Sequence, residues 1–186
     1  MPMKSVNIKR IAVFCGSATG VDPAFRKACI DLAGILHSKR IGLVYGGGNI
    51  GLMGILADEM LRLGSEVIGV IPQKLVDIEV AHNELTQMHI VPGMHERKAL
   101  MANLSDAFVV LPGGIGTMEE LFEMYTWLQL GYHDKPVALL NTNGFYNTLI
   151  GLLENMVQQG FLKKDRFEQL MIGEQPEELI ERIIKF

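Results

Sequence analysis

The residues with the clearest capacity for chemistry are Pro112-Gly113-Gly114-Ile115-Gly116-Thr117-Met118-Glu119-Glu120. Gly113, Gly114 and Gly116 leave backbone N–H groups uncovered by side chains, and a helix starting there aims more of them at the same spot. Such a turn suits an anion, most often a phosphate. Glu120 brings a carboxylate beside it. Two anions share a cleft only if cations intervene, and Met94-His95-Glu96-Arg97-Lys98 offers two. Arg97 could grip a phosphate bidentately or pair with a carboxylate.

Each of these features also has a plain structural reading. Thr117-Met118-Glu119-Glu120 fits the S/T-x-x-E capping box, with Thr117 capping the helix and Glu120 reaching back to the cap N–H. Arg97-Lys98 could be an ordinary solvated helix face. Spacing alone leaves both pairs of readings open.

The elements that must position these residues follow from short apolar runs and glycine punctuation. Strands are expected at Ile11–Cys15, Ile41–Tyr45, Glu66–Ile71 (stopped by Pro72), Leu85–Val91, Ala107–Leu111, Pro136–Leu140 and Leu170–Ile172. Helices are expected after Asp22-Pro23, which reads as an N-cap with proline at the first helical position, and over Leu52–Leu63, Met94–Leu104, Thr117–Leu130, Phe145–Gln159 and Pro176–Ile184. Gln73–Glu84 is polar and irregular and reads as a functional loop. Alternating strands and helices predict an α/β fold: a single Rossmann-like domain over residues 1–186, with a doubly wound, mostly parallel sheet and helices on both faces. The strands are continuous apolar runs, as expected when both faces are buried. Ligands of such sheets bind beyond the carboxyl ends of the strands. Three strands end there in glycine turns, at Gly16, Gly46 and Gly113.

Composition excludes several classes. Hydrophobic residues make up 48% and charged residues 20%, a globular balance, and the net charge of −4 argues against a nucleic-acid partner. No apolar run approaches the roughly 20 residues that span a bilayer. Asn7, Lys9 and Arg10 interrupt any signal-peptide core, so a cytoplasmic location is expected. Cys15 and Cys29 read as buried free thiols.

Gly46-Gly47-Gly48-Asn49-Ile50-Gly51 matches G-x-G-x-x-G, but the acid expected about 20 residues on, at the end of the next strand, is missing. That strand ends at Ile71-Pro72-Gln73, which argues against a nicotinamide or flavin site and leaves close helix–strand packing or a mononucleotide contact. Neither the P-loop pattern nor G-x-S-x-G occurs. His82, His89 and His95 are too irregularly spaced for a helical metal site and read as exposed or substrate-lining; no metal is expected. No lysine stands out as a Schiff-base site.

With these residues in place, the chain resembles the LOG family, cytokinin riboside 5′-monophosphate phosphoribohydrolases of Rossmann-like fold. The resemblance rests on Pro112-Gly113-Gly114-Ile115-Gly116-Thr117-Met118-Glu119-Glu120, on Met94-His95-Glu96-Arg97-Lys98, and on similarity from about Ile11 to Phe161. It implies hydrolysis of the N-glycosidic bond of adenosine 5′-monophosphates, often N6-substituted, giving free base and ribose 5-phosphate. It implies substrate binding by Glu79, Met94, Arg97, Lys98, Gly113, Gly114, Gly116 and Thr117, catalytic roles for Arg97 and Glu120, no cofactor, and a homodimer. In the expected mechanism, Glu120 stabilises an oxocarbenium-like ribose or orients water. The glycine turn anchors the phosphate, and Arg97 and Lys98 offset charge and fix Glu120. The rival expectation is a nucleotide or molybdenum-cofactor carrier without turnover, or a signalling module whose ligand is ribose phosphate or a nucleotide.

Overall fold

The computed structural model describes residues 8–186 apart from Asp77 and Glu79. Its strands are β1 Arg10–Phe14, β2 Gly42–Tyr45, β3 Val67–Pro72, β4 Gln87–Val91, β5 Ala107–Val110, β6 Val137–Leu140 and β7 Leu170–Gly173. Its helices are α1 Pro23–Ser38, α2 Gly51–Arg62, α3 Met94–Leu104, α4 Ile115–Leu130, α5 Asn147–Gln158, the single turn α6 Lys164–Phe167, and α7 Pro176–Ile184.

The seven strands form one sheet in the order β4-β3-β2-β1-β5-β6-β7, parallel throughout. Alternating residues of β1 explain the two cores. Ile11 and Val13 face a cluster that includes Leu32 of α1, Leu56 of α2 and Ile180 of α7. Ala12 and Phe14 face Met101 of α3, Met124 of α4 and Leu153 of α5. Each such side chain larger than alanine, fully buried, contributes about 1.5–3 kcal/mol relative to exposure. Helices therefore cover both faces, and α3 and α4 share one of them.

The chain leaves β1 toward β2 and returns, four strands later, to the other side of β1 at β5. The connections after β1 and β5 thus diverge, which opens a crevice at the carboxyl edge. All three glycine turns sit at that edge.

Local chemistry fixes the element starts. Asp22 caps α1, its carboxylate accepting from the Ala24 N–H at 2.9 Å, with Pro23 opening the helix as expected. Most boundaries shift by one or two residues from the sequence reading, and three of the shifts have a visible local cause. α4 begins two residues before Thr117, with Gly114 as its N-cap. β3 includes Pro72, whose φ of −67° and ψ of 142° are extended, and which ends the strand opposite Val91. α5 starts at Asn147 because a turn over Thr142–Gly144 comes first, with Asn143 at a left-handed φ of 52°.

Candidate active site

Gly113 to Thr117 join β5 to α4, and the structure accounts for each glycine differently. A β-carbon on Gly113 would overlap the Thr117 side chain and crowd the Gly16 N–H at 2.9 Å. Gly113 is therefore small for the protein's own packing. Among the described residues, a β-carbon on Gly114 or Gly116 would meet no atom within 4 Å beyond its own stretch of chain, and neither residue has a left-handed φ. Nothing in the fold demands glycine at these two places, whereas a ligand held close to the backbone would.

The N-terminus of α4 carries no side-chain cap. Its first N–H groups lack intrahelical acceptors, and the helix dipole adds partial positive charge there. The capping-box reading is thereby corrected. Thr117 lies inside the first turn and is buried, while Glu120 lies in the second turn. The helix starts at Ile115 because Gly113-Gly114 turns the chain early, so Thr117 is not at the cap.

α3 brings the cations. Arg97 and Lys98 are only 4% and 5% exposed, which excludes the solvated-face reading. Arg97 Nη2 donates to the Gly46 carbonyl at 3.0 Å, and Nη1 lies 3.9 Å from Met94 Sδ. A β-carbon on Gly46 would overlap the guanidinium, so the second glycine turn makes room for Arg97.

Lys98 leaves in another direction. Its ammonium pairs with Glu119, and with Glu123 at 3.0 Å. These two acids lie one turn apart on one face of α4, about 100° (Glu119) and about 60° (Glu123) around the helix from Glu120. Burial would lower the lysine pKa, but the hydrogen bonds it donates to Glu119 and Glu123, with their charges, outweigh it and hold it above the usual value. Lys98 was expected to offset phosphate charge and fix Glu120; in the structure its ammonium ties α3 to Glu119 and Glu123 of α4.

A cavity of about 240 Å³ is lined by Cys15, Ser17, Met53, Leu75, Met94, Arg97, Gly114, Ile115, Gly116, Thr117 and Glu120. It brings together the open helix start, Arg97, Met94 and Glu120. Lys98 and Gly113 do not line it, and Glu79 lies outside the described residues. A second cavity of about 210 Å³ shares Ser17 and Gly114 with it and continues along Gly16–Gly20 to Phe25 and Phe145. Cys15 is buried at the end of β1. Burial first, then Cys29 and the Glu120 charge, push its thiol well above the usual range. A neutral thiol, not a nucleophile, therefore borders the site.

Ser17, Met53 and Leu75 were not singled out by type or spacing, and Cys15 was read only as a buried thiol. The signal for Ser17 was its place in the turn after β1, where the sheet order reverses. The loop before β4 is tied to the second glycine turn: Asn49 N–H donates to Val80 O at 2.8 Å and His82 N–H to Gly47 O at 2.9 Å. His82 is buried rather than exposed or substrate-lining; its Nε2 meets Asp58 at 3.0 Å and its Nδ1 accepts from the Glu84 N–H. Among the described residues no His, Cys, Asp and Glu group could hold a metal ion.

Residues 53–183 match a family profile described as "Possible lysine decarboxylase". The cytokinin riboside 5′-monophosphate phosphoribohydrolase LOG3 of Arabidopsis thaliana is 43% identical over 184 residues, covering 99% of this chain and 86% of that protein. The probable cytokinin riboside 5′-monophosphate phosphoribohydrolase LOGL1 of Oryza sativa subsp. japonica is 47% identical, covering 95% of this chain and 79% of that protein. Among solved structures, the molybdenum cofactor binding protein of Rippkaea orientalis superposes with a TM-score of 0.69 at 21% identity, over 96% of this chain and 97% of that one. The molybdenum cofactor carrier protein of Chlamydomonas reinhardtii gives 0.68 at 17%, over 94% and 95%. At such identities these two share the fold alone.

Proposed function

The chain belongs to the family of cytokinin riboside 5′-monophosphate phosphoribohydrolases, and we propose that its cleft cleaves the N-glycosidic bond of N6-substituted adenosine 5′-monophosphates. Water adds across the bond: its oxygen goes to ribose C1′, its proton to the departing base. The products are an adenine-type base and ribose 5-phosphate. The observation that carries this reading is one cavity holding an uncapped helix N-terminus, Arg97 and Glu120 together.

In this mechanism the 5′-phosphate rests on the N–H groups at the start of α4, with Gly114 and Gly116 allowing close approach. Anchored there, the ribose presents C1′ to Glu120 in the second turn of the helix. The carboxylate stabilises the developing oxocarbenium ion and orients the attacking water. Arg97, held by Gly46 O, keeps positive charge in a cleft that must accept a dianion beside a carboxylate. Family resemblance carries a base-side contact to Glu79, a homodimeric assembly and a cytoplasmic setting into the same proposal. A carrier would need the open helix start but no carboxylate aimed at C1′, which favours turnover over storage.

The test is incubation with AMP, N6-isopentenyl-AMP and adenosine, followed by chromatographic detection of free base. Base release from the nucleotides is expected, with adenosine a poor substrate. No release from either nucleotide would leave binding without turnover. Equal turnover of adenosine would remove the phosphate anchor from the mechanism.

A further inference from the structure

We propose that Tyr146, at the end of the β6–α5 connection, is a positioning residue that aims the phosphate turn. It acts through the Leu111 carbonyl and touches no substrate. The inference rests on the phosphate seat proposed above at the start of α4. Tyr146 is 2% exposed, and its hydroxyl donates to Leu111 O at 2.6 Å. Leu111 is the last residue before Pro112 and the glycines.

The remaining bonds around it show why this contact matters. Leu111 N–H donates to Phe14 O at 2.9 Å, and Pro112 O accepts from Gly16 N–H at 3.1 Å. Pro112 has no N–H to give. The two carbonyls before the cradle are thus both taken by scaffold donors, one from the β1 turn and one from Tyr146. A carbonyl oxygen swinging toward the seat would repel a phosphate, so these bonds set its direction and its charge. The Tyr146 bond is also stiff at its source. Its own N–H donates to Asn141 Oδ1 at 2.8 Å, while Asn141 Nδ2 donates to Asn147 Oδ1 at 2.8 Å. Its ring packs edge-on against Phe145 at 4.8 Å, and Phe145 against Phe25 at 5.4 Å. The connection after β6 therefore braces the turn after β5 from behind.

Tyr146→Phe keeps the ring and removes only the hydroxyl. The Kd for ribose 5-phosphate, measured by calorimetry on the whole chain, is expected to rise about fivefold to tenfold, the size of one hydrogen bond. In turnover, KM for AMP is expected to rise by the same factor with kcat little changed. The slow cleavage of adenosine should hardly move, so the preference for nucleotide over nucleoside falls. Unchanged ribose 5-phosphate affinity and unchanged preference would overturn the proposal, whatever happens to the melting temperature. Equal losses for AMP and adenosine would also overturn it, as a general effect of folding. If wild type binds ribose 5-phosphate but releases no base, the catalytic reading fails and the Tyr146 reading is still decided by the Kd ratio. If wild type binds no ribose 5-phosphate, both fall.

Discussion

At the end of β2, Gly46 lies against the Arg97 guanidinium, and Gly47, at a φ of +79°, lies against Met88 and Ile71. At the end of β5, β-carbons at positions 114 and 116 would meet open space among the described residues. Both turns follow a parallel strand, precede a helix and open at one edge of the sheet. The first is occupied by the protein's own side chains and by the loop bridged at Gly48 and Ala81. The second is left to solvent at a helix start without a cap. Glycine clusters of this kind therefore answer two different needs. One makes room for a side chain that works elsewhere; the other leaves backbone open, as the proposed phosphate seat requires. The missing acid after β3 already separated them in the sequence, and the contacts of the two turns give the physical cause.

The contrast can be broken most forcefully at Glu120, which only the open turn serves. Glu120→Gln should leave the melting temperature near wild type and lower kcat by 10²-fold or more, as for removal of one catalytic group. Retained turnover would take the chemistry away from the open turn. Gly46→Ala should come next. The new methyl displaces the end of the Arg97 side chain, so activity is expected to fall by about 10²-fold while circular dichroism still reports a folded chain. Gly47→Ala, in the same turn, should cost about 2 kcal/mol of stability through its left-handed backbone and the contacts with Met88 and Ile71, read as a lower denaturant midpoint.

Gly116→Ala sharpens the comparison from the other side. The methyl meets open space and alanine is the better helix former by up to ~1 kcal/mol, so the melting temperature should hold or rise. KM for the nucleotide should still increase about tenfold, roughly 1.4 kcal/mol. Unchanged KM would show that the open turn is not the phosphate seat.

The smallest effect belongs to the far end of α4, where nothing is left open. His133 Nε2–H donates to Met124 O at 3.0 Å, and Nδ1 accepts from the Lys135 N–H at 3.2 Å. Burial holds its pKa below the ordinary 6.5, the hydrogen bond to Met124 opposing only in part. The unfolded chain then takes up the proton first as pH falls. This contribution to stability is complete above about pH 6.5 and is lost as pH falls toward the folded value. A decline of a few degrees in melting temperature between pH 7 and pH 5 is expected, flattened in His133→Asn. Parallel declines in both proteins would remove His133 as its source.

Much of the fold was legible because buried parallel strands write themselves as unbroken apolar runs. Ala107 to Val110 and Val137 to Leu140 are almost wholly inaccessible, and both were visible as such. Met94–Leu104 and Pro176–Ile184 were bounded by glycine or proline and fell where expected. The start of α4 was misplaced because Thr117 and Glu120 satisfy a capping pattern whose residues the backbone uses differently. The pairing of Lys98 was hidden for a related reason. Arg97 and Lys98 are sequence neighbours, yet the helical turn sends one to Gly46 and the other to Glu119 and Glu123. Ser17 and Leu75 join the cavity through the sheet order, which no local pattern encodes.

The central position of β1 also governs how the chain is made. One of its edges is completed by β2 within a few dozen residues, but the other waits for β5. The bond from the Lys9 N–H to the Asp106 carboxylate spans 97 positions. At a synthesis rate of about 5–20 residues per second, that edge stays unpaired on the ribosome for roughly 5–20 s. During this interval Ile11 and Val13 border a bare row of hydrogen-bonding groups, the arrangement most prone to pairing with another chain. The reversal of strand order that opens the ligand crevice thus also sets the longest period of vulnerability during biosynthesis.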